Sequence, residues 1–549
     1  MHPRTHGSPL LAWLHDPSAD RGIHFAQADG SWSFCAYERL AEMARAAAAG
    51  LVGQGVSGNE VVALIGRSTP ELVAAFFGTL LAGATPAPMA PPAAFQGQDA
   101  YGDHTRGVLR RTRPALAVAD AELLEELVPI VAGVSRLACF DSLRGDGAAR
   151  AEPAEIALLQ LTSGSSGAAR AVRIPRSALE ANVAAIGRWL RWTPDAPFVS
   201  WLPLYHDMGL VGALICPVVN GGDLWLFQPE HFIRDPLRYL RCLAGSGAEL
   251  SAIPAFGLDL SVRKVAPAAL EGLDFSRVRG MVVGAERVRA ETLERFHAFL
   301  EPYGLRRDAL LPAYGLAEAT LAATGVPPGR GWMAATVDPA SLVPGHAVRT
   351  LDVGGAVVTG CGVPLDGVSV SIVDESGAPL ADGHVGEIVV SGASLSAGYL
   401  GEPPSEGGEL RTGDGGFVLD GELYVLGRLG DSIKVRGRVL FSEELEAALA
   451  GLGASSQRAA VLLGSHEGAP TAVLLTEEPD PAWRAAAVKL LRRQADGARV
   501  AFVAVPRGGI ARTSSGKPRR RPLWDAFVAG RLPGKAEWEG TSTAGEEIV

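Results

Sequence analysis

Along the chain, compact apolar runs alternate with longer amphipathic stretches. A helix is predicted from Tyr37 to Leu51, a short strand at Val61–Ile65, and an apolar helix from Pro70 to Ala82 that Gly83-Ala-Thr-Pro-Ala-Pro ends. The residues before about 30 carry few pattern signals. The alternation resumes at Ala115-Leu-Ala-Val-Ala and continues past Pro254, with Ile156–Leu161 reading as a buried strand and a helix expected from Ser177. Strands that alternate with helices imply a parallel sheet covered by helices. Near Gly325 the pattern shifts to Pro, Gly and Val, and Val368–Val373 and Gly386–Ser391 read as strands of a more β-rich unit. A last α+β unit follows: helix Glu443–Leu452, strands Ala459–Leu463 and Ala472–Leu475, helix Trp483–Gln494. The expected fold class is α/β, with a β-rich subdomain and a small α+β unit at the end.

Length and charge narrow this picture. A chain of 549 residues is too long for one ordinary core, so two or more domains are expected. Its 47% hydrophobic and 20% charged content is that of a soluble globular protein. A net charge of −10 argues against a nucleic-acid binder that works by neutralising phosphates. The five cysteines are scattered without a C-x-x-C pair, which favours free thiols in a reducing compartment over disulfides or zinc. The apolar run near Met1 is too short for a signal peptide, and Leu72–Ala84 falls short of the ~20 residues a membrane span needs. A cytoplasmic enzyme is the expectation.

Six segments carry candidate chemistry. Leu161-Thr-Ser-Gly-Ser-Ser-Gly-Ala-Ala-Arg170 is a loop so poor in bulk that backbone N–H groups and short hydroxyls can crowd around phosphate oxygens. No Gly-Lys-Ser/Thr closes it, so it is not the nucleotide loop of the P-loop enzymes, and alone it reads equally as a surface turn. Ser200-Trp-Leu-Pro-Leu-Tyr-His-Asp-Met-Gly-Leu210 places His206 at a strand end. Gly284-Ala-Glu286 follows the apolar Met281-Val-Val and exposes backbone where α/β sheets bind ligands. Tyr314-Gly-Leu-Ala-Glu-Ala-Thr320 offers a ring to stack on a purine and a carboxylate to hold Mg²⁺. Arg411-Thr-Gly-Asp414 reads as a tight turn whose carboxylate suits two ribose hydroxyls. Arg512-Thr-Ser-Ser-Gly-Lys517 sets a lysine on a glycine-bearing loop, where it can neutralise charge on a phosphoryl transition state. The basic Arg519-Arg-Arg521 that follows reads as a solvated face or as a contact for an acidic partner.

Together and in this order, the six segments resemble the adenylate-forming superfamily, and within it most closely the fatty acyl-AMP ligases. The resemblance runs from about Ser33 to Trp524, and SWLPLYHDMGL, YGLAEATL and the long segment between Leu321 and Gly362 are its most specific parts. It implies a large acyl- and AMP-binding domain over 1–427 and a small mobile C-terminal domain over 428–549, hinged near Asp431. The Leu321–Gly362 segment would form an insertion that restrains the small domain and disfavours CoA.

By the same resemblance, ATP would be bound by Thr162, Ser163, Gly164, Ser165, Ser166 and Gly167 at its phosphates. Gly284, Ala285, Glu286, Tyr314, Gly315 and Leu316 would hold the adenine, and Asp414 with Arg428 the ribose. Glu318 would bind Mg²⁺. Lys517 would act at the reacting carboxylate and α-phosphate, with Glu318 and His206 as further catalytic groups. His206, Met208, Phe256 and Val283 would line the acyl site. A hydrophobic carboxylic acid would attack the α-phosphorus, pyrophosphate would leave, and the acyl-adenylate would pass to the phosphopantetheine thiol of an acyl carrier protein. Such a transfer needs positioning and charge stabilisation more than a nucleophilic side chain.

Besides the less typical Val439-Leu-Phe-Ser-Glu-Glu-Leu-Glu446 after the hinge, the sequence departs from the family pattern in three places. Ala169-Arg170-Ala171 stands where the family has Pro-Lys-Gly, Ala255-Phe256 where it has Asn-Phe, and Val283 where an Asn precedes Gly-Ala-Glu. The last two suggest a reshaped acyl pocket. CoA as acceptor, an adenylation-only enzyme, and a degenerate nucleotide-binding protein are the competing readings.

Overall fold

The computed structural model describes residues 8–92, 98–145, 152–162, 170–403, 408–435, 438–452, 458–477, 480–495, 497–512 and 517–539. Its largest sheet has nine strands. From one edge to the other they are Val363–Pro364, Ala322–Gly325, Leu310–Gly315, Gly280–Gly284, Leu250–Pro254, Phe198–Ser200, Leu224–Leu226, Gly22–Ala26 and Trp32–Ala36. Every pairing from Leu310–Gly315 to Gly22–Ala26 is parallel, and the outer pairings are antiparallel. Strands such as Leu250–Pro254 are buried along their whole length, because helices cover both faces.

A second, all-parallel sheet carries Thr85–Met89, Val61–Ile65, Leu116–Ala119 and Arg136–Cys139 in that order. The expected helix over Tyr37 to Leu51 runs on to Gly53 and presents Leu40, Ala41, Ala44, Ala47, Ala48 and Leu51 as one buried stripe. The helix Pro70–Leu81 starts with Pro at its first position and the Thr69 side chain accepting the Leu72 N–H at 3.3 Å. Two expectations need correction. Thr85-Pro-Ala-Pro-Met89 does more than end a helix: it is a strand, and its prolines are tolerated because it lies at the edge of its sheet. Gly22–Ala26, in a region with few pattern signals, is a strand too.

The β-rich unit is an antiparallel sheet of Val368–Val373, Gly386–Gly392, Glu409–Leu419 and Glu422–Arg428. The hairpin Ala334–Val337 with Ala356–Thr359 packs against it within the Leu321–Gly362 segment. From Arg428 a short turn, Leu429–Asp431, leads into the last unit. There the strands Ala459–His466, Ala469–Thr476, Arg499–Ala504 and Ala536–Glu539 form one sheet. Val461, Ala472 and Leu474 face the helices Ser442–Ala450 and Pro481–Gln494; Leu462, Val473 and Leu475 face Leu523 and Phe527 of the helix Arg520–Val528. That two-sided cover explains the uninterrupted apolar runs. Val439 and Phe441 share a core with Phe417, Tyr424 and Leu426, so the last unit is seated on the β-rich one. Among the described residues, no helix is long and apolar enough to cross a membrane.

Candidate active site

Four adjacent parallel strands end on one side of the large sheet, and each delivers a predicted segment. Phe198–Ser200 leads to His206, Leu250–Pro254 to Phe256, Gly280–Gly284 to Glu286, and Leu310–Gly315 to Glu318. Ligands of open α/β sheets bind at such carboxyl ends. The close approach of these loops demands glycine. A Cβ on Gly209 would stand 2.1 Å from the Pro203 carbonyl oxygen, and one on Gly315 only 1.9 Å from that of Leu321.

Past Ser200 the chain turns into a π-helix, Met208–Ile215, a rare winding that recurs at functional sites. His206 Nδ1 lies 2.6 Å from Asp207 Oδ1, which also accepts the Met208 N–H at 2.7 Å. Burial would raise the Asp207 carboxyl, but His206, the Met208 N–H and the charge of Lys517 together hold it below the usual range. Met208 is buried. Phe256 meets the edge of Trp201, with ring centroids 5.8 Å apart, and its N–H donates to Glu286 Oε1 at 2.6 Å. Val283 is fully enclosed in the core, within the strand behind Ala285. Ala285 takes a left-handed conformation (φ 66°), which turns Glu286 out of the sheet.

Tyr314 is tied to Asp414: its hydroxyl donates to Asp414 Oδ2 at 2.7 Å. Arg428 Nε sits 3.0 Å from Asp414 Oδ1, and its Nη1 donates to the Thr412 carbonyl at 2.8 Å. Asp414 does not project from a tight turn, as the sequence suggests. It lies inside the strand Glu409–Leu419, directly opposite Arg428, and Gly413 at φ 73° supplies the local kink. Removal from water is the largest effect on Asp414 and raises its carboxyl above the usual range, despite Arg428, the Tyr314 hydroxyl and Lys517.

Glu318 accepts the Tyr399 hydroxyl, and the Arg170 guanidinium lies 3.2 Å above the Tyr399 ring while pairing with Glu402 at 2.9 Å. Arg170 thus spends its charge on bracing the tyrosine that orients Glu318. Just beyond Glu318, buried Thr320 is held at φ 69°, ψ −58° by a Leu321 N–H to Ala319 carbonyl bond of 2.9 Å and by its own hydroxyl on Ser394. A β-branched residue in that region is strained by ~1–3 kcal/mol, and the strain sits beside the candidate metal ligand. Mg²⁺ takes hard oxygen ligands, one or two carboxylates completed by substrate phosphates, and the Glu318 carboxylate is of the type that would supply one.

Thr162 pairs with Arg170 across the strands Ile156–Thr162 and Arg170–Pro175. Ser163, Gly164, Ser165, Ser166 and Gly167 lie outside the described residues. Gly284, Gly315 and Leu316 stand at the strand ends already named. The charge of Lys517 favours the ionised form of Asp207, Glu286 and Asp414; burial outweighs it at Glu286 and Asp414, whose carboxyls stay raised, while Asp207 is held low. Residues more than 200 positions apart thereby come within electrostatic reach of one another. Two contributors escape sequence reasoning. Tyr399 carries no motif signal, and Arg287 directs its charge at Glu443 and Glu444 of the last unit. Only an oddity, an arginine directly after Gly-Ala-Glu, marks the second.

Comparison with known proteins identifies the family. A family model described as AMP-binding enzyme matches residues 18–400. The Mycobacterium tuberculosis protein named fatty-acid–CoA ligase fadD25 is 32% identical over 91% of this chain and 94% of its own. A 4-hydroxyphenylalkanoate adenylyltransferase of the same species is also 32% identical, over 72% of this chain and 68% of its own. A structure from work on fatty acyl-adenylate ligases of E. coli and L. pneumophila superposes with a TM-score of 0.87, at 28% identity over 95% of this chain and 97% of that one. The L. pneumophila fatty acyl-adenylate ligase, solved with acyl adenylate and pyrophosphate, gives 0.71 at 26% identity, with 97% of each chain covered. The chain belongs to the AMP-binding enzyme family and is an AMP-forming ligase.

Proposed function

We propose that this enzyme joins a fatty or similarly hydrophobic carboxylic acid to AMP from ATP, releasing pyrophosphate, and passes the acyl group to the phosphopantetheine thiol of an acyl carrier protein. The observation that carries the first step is the meeting of four strand-end segments at one edge of the large sheet, with Tyr314, Asp414 and Arg428 bonded together there and the charge of Lys517 within reach of Asp207, Glu286 and Asp414. A lysine so placed neutralises charge as the carboxylate attacks the α-phosphorus. Asp414 and Arg428 bind the ribose, Tyr314 with Gly284–Glu286 the adenine, and Thr162 to Gly167 the outer phosphates. Mg²⁺ on Glu318 would shield the phosphate charge. Trp201, Phe256 and Met208 give the acid an apolar wall. Residues 428–549 act as a mobile domain hinged near Asp431, which withdraws Lys517 once the adenylate has formed.

The carrier thiol is favoured by the hairpin Ala334–Val337 and Ala356–Thr359, which shares its core with Val439 and Phe441 and restrains the domain that a CoA acceptor would need to move. The relatives named fatty-acid–CoA ligases favour the second reading, CoA itself. Acid-dependent pyrophosphate release, measured over fatty, aryl and polycyclic acids without thiol, with CoA and with a phosphopantetheinylated carrier, decides between them. Product on the carrier alone supports the proposal; equal transfer to CoA contradicts the carrier preference. No release with any acid contradicts the adenylation step itself.

A further inference from the structure

The last helix, Arg520–Val528, begins three residues beyond Lys517, and three carboxylates grip its first side chain. Arg520 Nη1 lies 3.2 Å from Asp431 Oδ2 and 2.7 Å from Glu443 Oε1, while Nη2 lies 2.7 Å from Glu446 Oε2. The guanidinium is only 12% exposed, so the run Arg519–Arg521 is not the uniformly solvated face that its sequence suggests. Glu446 is fixed in turn, because its Oε1 accepts the Val461 N–H at 2.9 Å.

The three carboxylates come from two elements. Asp431 belongs to the turn where the β-rich unit passes into the last one, and Glu443 and Glu446 lie three residues apart on the helix Ser442–Ala450. Arg520 therefore ties the crossing turn, that helix and the start of the last helix together. The chain on the two sides of Lys517 is pinned together, by the Arg519 N–H on the Ala511 carbonyl at 2.8 Å and by the bridge between Arg512 and Pro518. So held, Lys517 is within electrostatic reach of Asp207, Glu286 and Asp414, whose ionised forms its charge favours. A planar fork of five N–H donors meets three carboxylates in a fixed geometry, which a lysine ammonium on a flexible stem does not reproduce.

We propose that Arg520 is the positioning residue for Lys517, setting the crossing turn and the last helix so that the lysine reaches the reacting carboxylate and phosphate. This rests on the adenylation reading above, in which Lys517 acts only when the last unit is docked. The role is one of placement: Arg520 pairs with Asp431, Glu443 and Glu446 and is not among the residues assigned to ATP or the acid.

Arg520→Lys tests it, with two readouts. Adenylation of the best acid from the panel above should fall tenfold or more in kcat, with KM for ATP within about twofold, because ATP is held by other residues. ATP with Mg²⁺ should shield Lys517 from acetylation in the wild type, as mapped by mass spectrometry. That shielding should vanish in Arg520→Lys, while acetylation of the exposed Lys489 stays the same. A variant that keeps both the rate and the shielding overturns the proposal, and equal losses in ATP affinity and rate would show a structural role only. Should Arg520→Lys fail to fold, Glu446→Gln removes one grip, and a two- to fivefold loss of kcat with partial loss of shielding is expected. An unchanged rate in that variant also overturns it. If wild-type protein adenylates no acid, the adenylation reading fails, and the shielding of Lys517 still reports on Arg520.

Discussion

Asp414 joins two demands that pull against each other. In the proposed ribose role it must be ionised to accept two hydrogen bonds, yet it is buried, and burial raises its carboxyl above the usual range even beside Arg428 and Tyr314. As pH falls through that raised value, Asp414 takes up a proton and ceases to be a double acceptor. The acid limb of kcat/KM for ATP should therefore lie above the range of an ordinary aspartate, about pH 4. For stability the sign is reversed: the native state holds this proton more tightly than the unfolded chain, so protonation favours the fold while it removes ligand binding. Asp414→Asn should raise KM for ATP by about tenfold, the scale of one lost charge-assisted hydrogen bond, and should flatten that limb. An unshifted limb that survives the substitution would remove Asp414 from the ribose site. Lys517→Ala should lower the adenylation rate by about 10²-fold or more with ATP affinity nearly intact, since its contact is made in the transition state. Stopped-flow binding alongside the rate would separate the two.

Among the elements, the strand ends were the most legible part of the site. Apolar runs followed by Gly-Ala-Glu or Tyr-Gly mark a strand and its terminus within a few residues, and the structure seats them side by side at the carboxyl edge of one sheet. Asp414 was not legible as a strand residue, because Thr-Gly-Asp-Gly-Gly reads as a turn. Its pairing partner Arg428 is supplied by the next strand, which local composition does not reveal. Thr85–Met89 was hidden in the same way, its two prolines outweighed by a sheet edge that needs no donor there. Tyr399 reaches Glu318 from a different unit, a contact that only tertiary structure creates. Gly315 gives the element-scale prediction. A methyl group there would meet the Leu321 carbonyl at 1.9 Å, so Gly315→Ala should cost about 1–3 kcal/mol and displace Tyr314 and Glu318. Chemical denaturation with parallel assays should show lowered stability together with weaker ATP use; normal values for both would mean the turn yields freely.

Across the whole molecule, what the sequence could not convey is how the last unit sits. Its core was foreseeable from apolar runs, and both of its faces are covered as those runs imply. Its docking depends on side chains that meet only after folding, Val439 and Phe441 in the core of the β-rich sheet and the charge of Arg287 attracted to Glu443 and Glu444, whereas Arg520 among three carboxylates ties the unit together internally. In the proposed reaction the contacts between the two units would have to loosen for the acyl group to move on. The most direct test of the account is acid-dependent ATP–pyrophosphate exchange, run on wild-type protein and Lys517→Ala with a fatty acid series. The account predicts exchange that requires both the acid and Mg²⁺, acyl-AMP detected by mass, and loss of exchange in the variant. Exchange that proceeds equally well without Lys517, or none with any acid although ATP binds, would contradict it.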